Sequence, residues 1–152
     1  MATPGCAQTN NLAYDGADRR VLLGCRGDER TKPSFAVLDP ASGKIVFTSE
    51  IGGGVDGMVF DPASKRVYVA GGVGATLNVF ERTGADAYKP VETLGTRAGM
   101  RALAYDAKRD RLYSVVAEGS ADASRKITTS VSPFYANTFF PDPFTVYTFG
   151  KR

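Results

Sequence analysis

Apolar and polar residues alternate along this chain with a period of two, and they do so in three matching runs. The string LAYD at 12–15 recurs as MVFD at 58–61 and as LAYD at 103–106, at offsets of 46 and then 45 residues. After each comes a polar turn that ends on a basic residue and then an apolar run: GADRRVLLGC, PASKRVYVAG and AKRDRLYSVV. Side chains in a strand point to opposite faces in turn, so the pattern predicts a strand, a tight turn and a return strand. A third element, SFAVLD at 34–39, TLNVFE at 76–81 and FTVYTF at 144–149, again alternates β-branched or aromatic residues with others. A fourth strand is predicted in the first two copies only, as KIVFTSEI at 44–51 and KPVETL at 89–94. Neither helix caps nor a 3.6-residue apolar stripe appears, so no helix longer than about two turns is expected.

Four antiparallel strands per repeat of about 45 residues is the spacing of a β-propeller blade, whereas a sandwich domain needs about 100 residues per unit. The expected fold is therefore all-β: a β-propeller fragment of three blades at 9–54, 55–99 and 100–152, the third lacking its outer strand. It makes one partial domain. The alternation marks Leu12, Tyr14, Val21, Leu23, Val37, Met58, Phe60, Val67, Val69, Leu77, Val79, Leu103, Tyr105, Leu112 and Phe149 as the core.

Composition narrows the chemistry. The 152 residues include no histidine, which removes Ser-His-Asp and Cys-His triads and the commonest zinc ligand. The net charge of +3 is small and its basic residues are spread through turns, so nucleic acid is not an expected partner. No stretch approaches 18 consecutive apolar residues, so no membrane span is expected, and MATPGCAQTNN has neither the basic start nor the apolar run of a signal peptide. Cys6 and Cys25 lack the spacing of a metal or redox motif. In the repeat register they align with Gly52 and Gly71, on one face of the first blade. A disulfide and two separate thiols both fit that placement, and the reading favours the thiols.

FDPASKRVYVAGG, LDPASGK and EIGGGVDGMVFD, with their counterparts in the other copies, resemble the YVTN-type bacterial β-propeller family over almost the whole chain. The resemblance implies a parent protein with about seven blades, exported to the periplasm or cell exterior, of which this chain matches the C-terminal three. It also implies the runner-up function: half of a propeller enzyme, similar to a lactone hydrolase or a quinoprotein dehydrogenase subunit, with its active site completed by other blades. Such lactonases rely on histidine, which is absent here, or on a channel metal. Asp56 alone supplies too few oxygen donors for calcium.

The register also lines up Asn10, Asp56 and Arg101, two residues before Leu12, Met58 and Leu103. The first strand of a propeller blade is innermost and its start opens on the central channel, so these three polar side chains are expected to converge at one channel mouth. Convergent polar groups in a concavity make a ligand site, and an ion pair between Arg101 and Asp56 is expected there. Asp15, Asp61 and Asp106 are read as turn caps, because aspartate hydrogen-bonds backbone amides two residues on. GGGVDG at 52–57 has the glycine spacing of a dinucleotide fingerprint, but a strand follows it instead of a helix, so it is read as a crossing between blades. The aromatic, proline-rich stretch at 132–144 is read as a long loop folded back over its own blade.

These readings converge on a non-enzymatic binding module with its ligand site at Asn10, Asp56 and Arg101, and with no catalytic residue, metal or cofactor. The ligand is a small molecule or a protein. Three blades leave two sheet faces without neighbours, so the chain is expected to self-associate, as 3 + 3 blades, or to take a second polypeptide carrying the complementary portion.

Overall fold

The computed structural model of the protein describes residues 4–128 and 133–150, the side chains of 118–143 excepted. β1 (Thr9–Asp15), β2 (Arg20–Cys25), β3 (Ser34–Asp39) and β4 (Lys44–Glu50) form one sheet in that order. β5 (Val55–Asp61), β6 (Arg66–Gly71), β7 (Thr76–Gly84) and β8 (Ala87–Gly95) form the second. β9 (Met100–Asp106), β10 (Arg111–Thr128) and β11 (Pro133–Gly150) form the third, with β10 in the middle. All neighbours are antiparallel, and Leu12 pairs with Leu23, Met58 with Val69 and Leu103 with Ser114, which is the repeat register. The molecule is thus all-β, a propeller fragment of three blades whose ring is open, and no helix occurs among the described residues.

Each inner hairpin turns on an aspartate. Asp15 accepts the backbone N–H groups of Ala17 and Asp18, Asp61 those of Ala63 and Ser64, and Asp106 those of Lys108 and Arg109. Burial works to raise the Asp61 carboxyl, yet these amides and the Ser64 hydroxyl outweigh it and hold it below the usual carboxylate range.

Two core clusters lie between sheets, and a third, Cys6 with Leu23, Cys25 and Ala36, lies on the outermost face of the first blade under the entering chain. Leu22, Phe35 and Val37 of the first blade meet Val55, Met58, Val67, Val69 and Phe80 of the second, with Phe47 and Tyr88 closing an aromatic cluster around Phe35. Ala70, Leu77 and Tyr68 of the second blade meet Met100, Leu103, Tyr105, Leu112, Val116 and Phe149 of the third. Inner strands approach closely at glycines: a Cβ on Gly24 would lie 2.6 Å from the Val55 side chain, and one on Gly57 2.9 Å from the Leu103 nitrogen. At the far end of the first junction, Arg82 reaches from the second blade to Asp15 and Asp18, and Arg20 reaches from the first to Asp86.

Two expected core residues face solvent: Leu12 is 66% and Tyr14 57% exposed. Their repeat counterparts, Met58 with Phe60 and Leu103 with Tyr105, pack on the preceding blade, and the first blade has none before it. Val21, Phe60, Leu103, Tyr105 and Phe149 are half-buried, and the other expected core residues are buried.

The cysteines depart from the reading that favoured separate thiols: Cys6 and Cys25 form a disulfide, with Cα atoms 5.3 Å apart. The cause is the path of the entering chain. Arg26 N–H donates to the Gln8 carbonyl at 3.1 Å and Gly27 N–H to that of Ala7 at 3.0 Å, which lays residues 6–8 along the end of β2. In the second blade Gly72 N–H donates to the Gly54 carbonyl in the same way, and the approach is made by two glycines, Gly52 and Gly71.

The stretch read as a folded-back loop is instead a strand from Pro133 onwards; position 132 lies outside the described residues. β10 and β11 stay paired beyond the blade, from Gly119↔Phe139 to Thr128↔Pro133. Three prolines argue against a strand there, and the first, Pro133, is tolerated as the opening residue of β11. Pro141 and Pro143 fall between the paired positions Phe139 and Phe144, where the register shifts, so a ladder lacking their N–H groups loses no bond.

Candidate channel-mouth site

The starts of β1, β5 and β9 lie side by side at one end of the stacked blades. Asn10 and Asp56 are each the extra residue of a bulge: Thr9 pairs with Cys25 and Asn11 with Gly24, while Val55 pairs with Gly71 and Gly57 with Ala70. A bulge turns a side chain out of the ladder, and here it turns both into the junction between the first two blades. Asn10 Nδ2 donates to the Val55 carbonyl at 2.8 Å and lies 3.4 Å from Asp56 Oδ1.

Asp56 also forms an ion pair, but with Arg26 and not with Arg101 as the sequence suggested. Arg26 Nη2 donates to Asp56 Oδ1 and Nε to the Val55 carbonyl at 3.4 Å. The side chains are 28% and 18% exposed, so the pair is half-sheltered by the two blades. Arg26 escaped the sequence reading, although the repeat register could have found it: its counterparts are Gly72 and Ala117, so it is the one basic residue at that position. Gly72 matters in its own right. A Cβ there would come within 2.6 Å of the Met100 carbonyl and 3.5 Å of Asp56 Oδ2, so its bareness lets the third blade close against the second beside the Asp56 carboxylate. Among the described residues nothing donates to Oδ2.

Arg101 is placed differently from Asn10 and Asp56. In the third blade the bulge falls one residue later, at Ala102, whose φ is +39°, and Arg101 pairs in register with Val115. The buried Ser114 hydroxyl lies 2.8 Å from the Arg101 carbonyl and 2.9 Å from that of Ala102, which fixes the shift. Arg101 is exposed, at the same end of the molecule and next in the chain to Met100, whose carbonyl abuts Gly72. The structure therefore joins Asn10, Arg26 and Asp56 in one network and sets Arg101 beyond it, toward the open end of the stack. Hollows of about 230 Å³ beside Pro4 and Ile45 and about 110 Å³ between Tyr68 and Phe149 lie elsewhere.

No family of known proteins matches the chain, and no curated protein does either. Among solved structures, it is similar to a functionally unknown protein from Desulfotomaculum acetoxidans, with a TM-score of 0.36 and 9% identity over 84% of this chain. The chain spans 55% of that protein's length.

Proposed function

We propose that this chain is a non-enzymatic binding module of the YVTN propeller kind, which takes a small polar ligand at the channel mouth. The observation that carries the reading is the Asp56 carboxylate, held at Oδ1 by Arg26 and Asn10 while nothing among the described residues donates to Oδ2. A ligand hydroxyl or ammonium donates to Oδ2, and the exposed Arg101 guanidinium offers donors to a carboxylate or hydroxyl on the same ligand. Zwitterionic amino acids and polyols carry both groups. The Cys6–Cys25 disulfide supports an oxidising compartment, the periplasm or cell exterior of a bacterium, because thiols are kept reduced in the cytosol.

The test is an NMR titration of the protein with a panel of amino acids and sugars, following the Asn10 side-chain amide and the Arg26 Nε–H. At least one compound should shift both signals saturably, and Asp56→Asn should weaken its binding by tenfold or more. If the whole panel leaves these signals unmoved while shifting others, the site is not at the mouth.

A further inference from the structure

Of the six large apolar side chains exposed among the described residues, four lie on the two outermost sheet faces: Leu12 and Tyr14 on the first blade, Phe144 at 65% and Val146 at 55% on the third. The two faces are the two halves of one junction. Call the side of a blade toward the preceding blade its front and the other its back. At both internal junctions the front is carried by the counterparts of Leu12 and Tyr14, namely Met58 with Phe60 and Leu103 with Tyr105. The back is carried by Leu22 and Phe35 in the first blade and Tyr68 and Leu77 in the second, whose counterparts in the third are Tyr113 and Val146. The back of the third blade and the inner-strand part of the first blade's front, at Leu12 and Tyr14, are therefore surfaces of the kind joined at both internal junctions, while Gly5 and Cys6 cover the outer part of that front at Leu23, Ser34 and Ala36.

We infer that a second copy of this chain occupies these faces head to tail, the back of each third blade on the front of the other copy's first, closing a ring of six blades. Two equal contacts around a two-fold axis leave neither face open, whereas a front-to-front dimer would leave both backs in water. The internal junctions specify what the contact contains. Tyr68 stacks on Tyr105 at 5.9 Å between ring centres, and the equivalent pair across copies is Tyr113 on Tyr14. Asn10 donates to the Val55 carbonyl of the following blade, and the equivalent donor across copies is Arg101, aimed at the Thr9 carbonyl beside Asn10. In-register pairing with Val115 puts Arg101 on the required face. This part rests on the mouth reading, for it makes the polar rim a ring of Asn10, Asp56 and Arg101 taken twice.

Sedimentation and light scattering of the ligand-free protein test the inference apart from binding. The wild type should have twice the chain mass. Leu12→Asp spoils the front and Val146→Asp the back. Each alone should be monomeric, since each ring contact then contains one spoiled face, with circular dichroism confirming that the blades stay folded. Mixing the two variants should restore dimer at reduced affinity, because one contact then joins an intact back to an intact front. A wild type that stays monomeric at all soluble concentrations overturns the inference and assigns the faces to other partners. So does a Val146→Asp protein that still dimerises, which would mean front-to-front pairing. A monomeric wild type that still shows the ligand-induced shifts at Asn10 would sink the ring and spare the mouth.

Discussion

Tyr88 shows how one atom can be out of balance in an otherwise satisfied junction. Its ring completes the aromatic cluster on Phe35 and Phe47, but its hydroxyl is buried with no hydrogen-bond partner among the described residues. Burial first, then the negative charge of Asp15, pushes the phenol up to about 12. A buried polar group left unpaired is a cost, so Tyr88→Phe is expected to stabilise the protein by about 1 kcal/mol at neutral pH, read from chemical denaturation. The pH dependence has a definite sign. The phenol ionises in the unfolded chain from about pH 10 but in the folded one only near 12, so stability falls as pH rises through that window. The variant should lose less stability there than the wild type. Equal alkaline slopes for the two proteins would mean that Tyr88 is not held in this environment.

At the scale of the strand, glycines set how near one blade comes to the next. Gly57 sits in β5 with the backbone of Ala102 and Leu103 across from it, so an added methyl meets main chain that cannot step aside. Gly57→Ala is expected to cost about 1–3 kcal/mol by overpacking, measured by thermal or urea unfolding, while Gly95→Ala, which meets nothing within 4 Å, serves as the control. Equal effects would show that the β5–β9 approach is looser than described. Strand positions and register were legible in the sequence because the alternation repeats three times, and one copy checks another. Three features were not. The outward face of Leu12 and Tyr14 depends on which blade has no neighbour, and alternation assigns a residue to a face without saying what covers it. The bulge at Ala102 depends on one buried hydroxyl, Ser114, where the other blades have Leu23 and Val69. The long β10–β11 ribbon was obscured by Pro141 and Pro143, which read as strand breakers until the register shift that accommodates them is seen.

For the molecule as a whole, the repeat fixes more than the fold. It places position 56 of one blade against positions 10 and 26 of the blade before, so that the mouth is assembled across junctions and no single blade contains it. Of the candidate site, Asn10 and Asp56 were legible as equivalent strand starts; Arg26 was hidden because it lies on a different strand, and its partnership arises only when two blades stack. The central claim is this shared mouth, and a double-mutant cycle tests it most directly. Arg26→Ala, Asp56→Ala and the double variant would be compared by urea unfolding. The half-sheltered ion pair predicts a coupling of about 0.5–1 kcal/mol, with both single variants folded. Strictly additive effects, with coupling below about 0.3 kcal/mol, would mean that the two side chains do not meet and that the mouth described here does not exist.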